Sequence, residues 1–340
     1  MPTVAVVSAG FMGSALGAAL LSGGARVVTT LEGRSARSRR LAESAGLEIL
    51  PTLADVLAAA DVVLSVTPPA AATDAARAIA AAHRSARSQD PRPRTAQPRT
   101  VQRRAARSPS HPARGHADAG NMTSQSARSP ADPALSADRR EGGPIVADLN
   151  AVSPGTMEQV VRELGGLRVV DGSISGPPPT VKPGARVYLS GPEAEIVAGL
   201  PWAGMIEPVV IGDRVGAASA LKMCTGSVYK GLVALVTQAM RTAGAHGVLA
   251  EVLDDLERNG LADNAGVARA ATKAHRYVDE MREVSATQAG AGLDPGLFAA
   301  IAAVYADIAS TRLADDDPEN DRALTPAEIV ARLREHGAAG

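Results

Sequence analysis

The residues of this chain best suited to chemistry are two glycines and a lysine. Gly10 and Gly13 lie in Ser8-Ala9-Gly10-Phe11-Met12-Gly13. An apolar β-branched run over 4–7 precedes that turn, and Ala15, Leu16, Ala19 and Leu20 recur after it at helical spacing. In a strand–turn–helix of this kind, the free N–H groups at the helix start attract an anion. Gly10 lets the backbone approach a pyrophosphate, and Gly13 lets helix and strand pack closely. Ser8 stands where the first glycine of G-x-G-x-x-G belongs, so the strict motif is not met, and a strand–helix turn that binds nothing would read much the same. Lys222 lies in Ala218-Ser219-Ala220-Leu221-Lys222-Met223-Cys224, a stretch otherwise small or apolar. It either snorkels to solvent or is held in a partly desolvated cleft. In a cleft the ammonium form is disfavoured, which suits proton transfer near neutral pH.

Alternating strand and helix patterns surround the glycine turn. Strands are expected over 27–31, 49–50, 62–67, 145–149, 168–171, 185–190 and 207–211. Helices are expected over 35–45, 53–59, 73–83 and 156–164. Such alternation predicts a doubly wound α/β Rossmann domain over 1–212. Three small, polar segments then mark the sheet edge where ligands bind in such folds: Val66-Thr67-Pro68-Pro69, Asp148 through Pro154, and Asp171 through Pro177. From 213 to 340 the texture is helical, with expected helices at 216–241, 249–256, 265–284, 295–311 and 326–335. An all-α second domain is predicted there.

Composition bounds the function classes. The chain has 340 residues, 45% hydrophobic and only 2% aromatic, so Ala, Val and Leu must fill its core. A single cysteine, Cys224, excludes an intramolecular disulfide and fits a reducing compartment. No run reaches the roughly 18 apolar residues of a membrane span, so a cytoplasmic protein is expected. The six histidines show no metal-ligand spacing, and no metal is expected. Residues 84–143 hold twelve arginines and five acidic residues, a net of +7 against -8 for the remainder. That Arg/Ser/Pro/Ala-rich segment is expected to be disordered. It reads as a basic tether, a neutral insertion or translated non-coding sequence. With the rest of the chain acidic, nucleic acid is not the expected partner.

Together, the Gly10-Phe11-Met12-Gly13 turn, the Asp148-x-Asn150-x-x-Ser153-Pro154 segment, the Ser173-Ile174-Ser175-Gly176-Pro177 segment and Lys222 resemble the β-hydroxyacid dehydrogenase family. That family includes 3-hydroxyisobutyrate and 6-phosphogluconate dehydrogenases. More narrowly, 29–35 and 220–231 look like a poorly characterised NAD(P)-binding branch with a distinctive C-terminal domain. The resemblance implies hydride transfer between a nicotinamide and the carbinol carbon of a small hydroxy acid, with Lys222 as general acid/base. It further implies that Ser175 and Gly176 bind the substrate carboxylate, that Asn150 lines the pocket, and that the helical domain pairs two copies. Gly226 stands where the family usually places asparagine, which leaves the substrate open. Imine reductase-like chemistry and a non-catalytic nucleotide-binding or scaffold role are the alternatives.

Cofactor choice turns on the end of the second strand, Thr30-Leu31-Glu32-Gly33-Arg34-Ser35. A carboxylate there grips the ribose diol of NAD, whereas Arg and Ser hold the 2′-phosphate of NADP. Glu32 supports the first; Arg34, Ser35 and Arg37 support the second, and NADP is the expectation. The expected cofactor-binding set is Gly10, Phe11, Met12, Gly13, Arg34, Ser35, Thr67 and Pro68.

Overall fold

The computed structural model describes residues 1–89, 143–315 and 324–337. The N-terminal part alternates β1 (Thr3–Val7), α1 (Phe11–Ser22), β2 (Arg26–Thr30), α2 (Ala36–Ser44), β3 (Glu48–Leu50), α3 (Leu53–Ala59), β4 (Val62–Ser65) and α4 (Ala72–Gln89). It resumes with β5 (Ile145–Asp148), α5 (Pro154–Leu164), β6 (Arg168–Ser175), β7 (Ala185–Ser190), a short α6 (Ala194–Ala198) and β8 (Ile206–Val210). The strands form one sheet in the order β3-β2-β1-β4-β5-β6-β7-β8. The first six are mutually parallel; β7 runs antiparallel to β6, and β8 runs parallel to β7.

Alternate residues of the inner strands feed two separate cores. Val4, Val6, Val27 and Leu64 pack with Leu16 and Leu20 of α1 on one face. Ala5, Val7, Val28 and Val63 pack with Ile79 of α4 and Met157 of α5 on the other. Burial on both faces is why these strands read as short, unbroken apolar runs. Strand order reverses between β1 and β4, which opens a crevice beyond their carboxyl ends.

Helices follow: α7 (Ala217–His246), α8 (Leu249–Arg258), α9 (Asn264–Ala271), α10 (Ala274–Gly290), α11 (Gly296–Ala309) and α12 (Pro326–Arg334). Met223, Met240, Val267, Met281, Tyr305 and Leu313 contribute to a third core of their own. The protein is therefore a Rossmann-like, parallel-rich α/β sheet followed by a helical region. None of its described helices is long and apolar enough to cross a membrane. Among the described residues no cluster of three or more His, Cys, Asp or Glu could hold a metal ion.

Three sequence expectations are corrected. The segment expected to be disordered begins too early, because 84–89 continue α4; residues 90–142 lie outside the described residues. The helix expected over 265–284 is two helices, α9 and α10. Thr272 closes α9 by donating its hydroxyl to the Arg269 carbonyl at 3.1 Å, a local bond that competes with helix continuation. The strand expected to stop at 171 runs on to Ser175, because β7 supplies an antiparallel ladder from Asp171↔Ser190 to Ser175↔Arg186.

Candidate active site

The glycine turn forms the site's first wall. Gly10 precedes α1 and carries no side-chain cap, so the first N–H groups of that helix stay available. A Cβ on Gly10 would meet nothing within 4 Å, whereas one on Gly13 would sit 2.4 Å from the Ser8 carbonyl oxygen. Gly13 is thus fixed by the approach of α1 to β1, and Gly10 leaves open space before the helix. Ser8 adopts φ 72°, the left-handed conformation that glycine usually supplies at this point, and its carbonyl accepts the Gly10 N–H at 2.8 Å. Phe11 is exposed, and Met12 packs against the core on the α1 face of the sheet.

Beside this turn lie the ends of β4 and β5. Asn150 is 2% exposed. Its amide donates to Asp148 Oδ2 at 2.8 Å and Ser65 Oγ at 3.3 Å, and its Oδ1 accepts the Thr67 N–H at 2.5 Å. The Asn150 side chain thus ties two strand ends together and holds the Thr67–Pro68 backbone. Asp148 is fully buried, and desolvation, reinforced by nearby Asp171, pushes its carboxyl up to about 7. Thr67 Oγ1 is buried without a partner, while Pro68 is exposed at the start of a single 3-10 turn, Pro69–Ala71.

The opposite wall is built around Asp171 and Lys222. Asp171 Oδ2 accepts the N–H groups of Gly216 and Ser219 at 2.9 and 3.0 Å, and Oδ1 accepts the Ser219 hydroxyl at 2.6 Å. Ser190 also donates to it, at 3.1 Å. One buried carboxylate of β6 thus anchors the first turn of α7, and Lys222, three residues beyond Ser219, is placed at the strand's end. Lys222 Nζ donates to the Ile174 carbonyl at 2.7 Å, directly before Ser175 and Gly176. The structure therefore brings Lys222, Ser175 and Gly176 together. Gly176 has φ 131°, and any Cβ there would lie 3.0 Å from that of Ala185. Burial alone pushes the Lys222 ammonium below its ordinary value, and among the described residues no carboxylate pairs with it.

Further along α7 is a cluster that sequence reading missed. Lys230 forms an ion pair with Glu280 of α10 and lies 4.7 Å from the centroid of the Tyr277 ring. Tyr277 meets Tyr305 of α11 edge-on at 5.2 Å, and the Tyr305 hydroxyl donates to the Lys230 carbonyl at 2.7 Å. Burial, then the charges of Lys222 and Arg276, push Lys230 down to about 7; the carboxylate of Glu280 works the other way. Glu283, one turn from Glu280, accepts the Ser153 N–H at 2.7 Å and the Thr156 hydroxyl at 2.8 Å, which fastens α10 to the start of α5. Cys224, by contrast, is exposed rather than packed.

At the end of β2 the chain turns through Gly33 into α2. Ser35 caps that helix by accepting the Ser38 N–H at 3.2 Å, and Arg34 is exposed beside it. The two residues expected to read the cofactor ribose therefore stand together at the carboxyl end of β2.

Residues 3–88 match the family described as NADP oxidoreductase, coenzyme F420-dependent, and 243–308 match a domain of unknown function, DUF1932. An uncharacterized 28.5 kDa protein of Methanothermus fervidus is 32% identical over 114 residues, which is 33% of this chain and 43% of that protein's length. Among solved structures, the chain is similar to the conserved protein MTH1747 of unknown function, itself described as structurally similar to 3-hydroxyacid dehydrogenases. That match has 24% identity and a TM-score of 0.57, over 90% of this chain and 96% of the other. It is also similar to a conserved hypothetical protein of Sinorhizobium meliloti (22%, TM-score 0.58, over 98% and 96%). A 3-hydroxyisobutyrate dehydrogenase of Mycobacterium tuberculosis matches at 17% identity and TM-score 0.61, over 98% and 99%. From the β1 glycine turn to the helices after α7, the chain has the fold of the 3-hydroxyacid dehydrogenases.

Proposed function

We propose that this protein is an NAD(P)-dependent oxidoreductase acting on a small hydroxy or oxo acid, with Lys222 moving the hydroxyl proton. The observation that carries this reading is the Lys222 ammonium, desolvated, bonded to the Ile174 carbonyl and, among the described residues, paired with no carboxylate, at the end of the strand that also presents Ser175 and Gly176.

The residues present fit a dinucleotide. Open space before the uncapped start of α1 suits a pyrophosphate, and the unpartnered Thr67 hydroxyl is a donor at the adjoining strand end. Arg34 and Ser35 would hold a 2′-phosphate, so NADP is the preferred form and NAD the lesser one. The bound nicotinamide supplies a two-electron hydride donor or acceptor. The chain supplies the rest. Neutral Lys222 takes the hydroxyl proton as an alcohol becomes a carbonyl, and charged Lys222 returns it in reverse. The backbone around Ser175 and Gly176 positions the acid group. The test is a screen of oxo acids, semialdehydes and hydroxy acids, followed by NADPH and NADH absorbance; absence of cofactor oxidation or reduction with every one would reject the reading.

The acting unit in this proposal is a dimer. On α7, Val228 and Tyr229 are 65% and 68% exposed and Leu235 is 61% exposed, with Leu232 between them on the same side. A second copy covering that stripe gives twice the monomer mass by light scattering at micromolar concentration, and Leu235→Glu restores the monomer. Wild-type protein of monomer mass would remove the claim.

A further inference from the structure

The Lys222 face of α7 holds more cationic charge than a single acid group needs. Lys222 and Lys230 lie one helical turn to either side of Gly226, about 12 Å apart along the axis. Gly226 is buried, yet a Cβ on it would meet nothing within 4 Å. The space directly over Gly226, midway between the two lysines, is therefore open, not filled by packed side chains. Against Lys230, α10 contributes Tyr277 and Glu280, and the charge of Arg276 on the same helix reaches it. Glu280 neutralises one cation; Arg276 is exposed and forms no ion pair among the described residues.

Lys230 is also built to be reached. Its side chain keeps 17% of its exposure, and an ammonium has three N–H donors. Glu280 takes one and the Tyr277 face shields another side, so a donor remains for a ligand. If Lys230 served only to satisfy Glu280 in the core, an open gap beside it would be left without purpose and would cost packing.

We propose that the substrate carries, besides the acid group next to its reacting carbon, a second anionic group, carboxylate or phosphate, and that Lys230 receives it with Arg276 at the rim. This rests on the hydride-transfer reading for the orientation of the substrate, with its hydroxyl at Lys222 and its far end beyond Gly226. The charges of Lys222 and Arg276 both act unfavourably on the Lys230 ammonium, which has Glu280 as its ion-pair partner, and an arriving anion relieves that repulsion. It also gives Gly226 a role: a side chain there would fill the path between the two groups.

Two measurements on the full chain test this. In calorimetric titrations, adipate should bind about 10- to 100-fold more tightly than hexanoate, the range for one charge-assisted hydrogen bond. Turnover should favour 3-hydroxyadipate over 3-hydroxyhexanoate by a similar factor in kcat/KM, and 3-hydroxy-5-phosphooxypentanoate tells whether phosphate serves better than carboxylate. Lys230→Met alone strands a buried Glu280 charge and endangers folding. The variant for comparison is therefore Lys230→Gln with Glu280→Gln, which keeps an amide pair in place. In it, the preference for the second anion should fall to near unity. Equal binding of adipate and hexanoate by the wild type, or a preference that survives in the double variant, overturns the proposal. Should the binding preference hold while no hydroxy acid is turned over, the anion site stands and the hydride-transfer reading falls. Turnover without preference leaves hydride transfer standing and removes the anion site.

Discussion

The two walls of the cleft are made from different material. The β1–α1 wall is backbone: a helix start, two glycines and a serine in a left-handed conformation, all within six consecutive residues. The α7 wall is side chains: Lys222 and Lys230 from one helix, Glu280 and Tyr277 from another, Asp171 from a strand. A backbone site binds what every dinucleotide has in common, whereas a side-chain site can be altered one residue at a time. The first wall should therefore govern whether a cofactor binds, and the second what is done with it.

The largest effect expected separates the walls outright. Lys222→Ala should lower turnover about 10²- to 10⁴-fold, the range for losing a general acid/base, while cofactor affinity hardly changes. Lys222→Arg should not rescue, since guanidinium stays charged at neutral pH. Burial lowers the Lys222 ionisation, so oxidation of the alcohol, which needs the neutral amine, should rise with pH through an inflection below lysine's ordinary range. Reduction, which needs the ammonium, should fall through the same inflection. Near-wild-type turnover by Lys222→Ala on a confirmed substrate would break the division and leave Lys222 a structural residue; imine reduction or a sensing role would then take its place.

Next in size is the joint between the walls. Asp171→Ala removes a buried carboxylate that accepts bonds from Gly216, Ser219 and Ser190. Leaving those donors unpaired should cost on the order of 3 kcal/mol in denaturant unfolding. Turnover in the folded fraction should fall as well, because the first turn of α7 sets the position of Lys222. A change under 1 kcal/mol would mean that the helical core alone holds α7 in place.

The same contrast explains what the sequence made legible. The glycine turn is local: strand, turn and helix are contiguous, so residue spacing suffices. Lys222 stood out as a lone charge in an apolar stretch. Asp171 did not, because the groups it binds lie 45 and 48 positions away, and no local pattern links them. Lys230 failed for a related reason, since Glu280 and Tyr277 reach it only after α10 packs on α7. Gly172–Ser175 looked like loop because Gly and Ser are poor strand formers; the ladder to β7 overrides that preference. The bonds of Asn150 to Ser65 and Thr67 were not legible either, since those residues lie more than 80 positions away and meet it only where β4 pairs with β5.

A smaller effect tests selectivity within the first wall. Arg34→Ala should weaken NADPH by about 1.5–3 kcal/mol, the value of a hydrogen bond to a charged group, and leave NADH almost unchanged. Because Arg34 and Ser35 are exposed, their contribution should also shrink with added salt. Equal losses for both cofactors would show that the ribose end is read elsewhere. A loss confined to NADH would hand the choice to Glu32.

The smallest effect concerns strain in the turn itself. Ser8 holds φ 72° where a side chain is disfavoured, with its carbonyl bonded to the Gly10 N–H and in close approach to Gly13. Two neighbours thus impose a conformation that glycine adopts at little cost and serine does not. Ser8→Gly should therefore relieve about 1 kcal/mol in the folded state, partly offset by the greater freedom of glycine in the unfolded chain. The net should be a rise in Tm of a few degrees at most, with cofactor affinity unchanged or slightly higher because the same backbone N–H groups remain. A destabilisation beyond 1 kcal/mol would mean that the serine side chain itself holds the turn. The first wall would then depend on a side chain after all, and its contrast with the α7 wall would narrow.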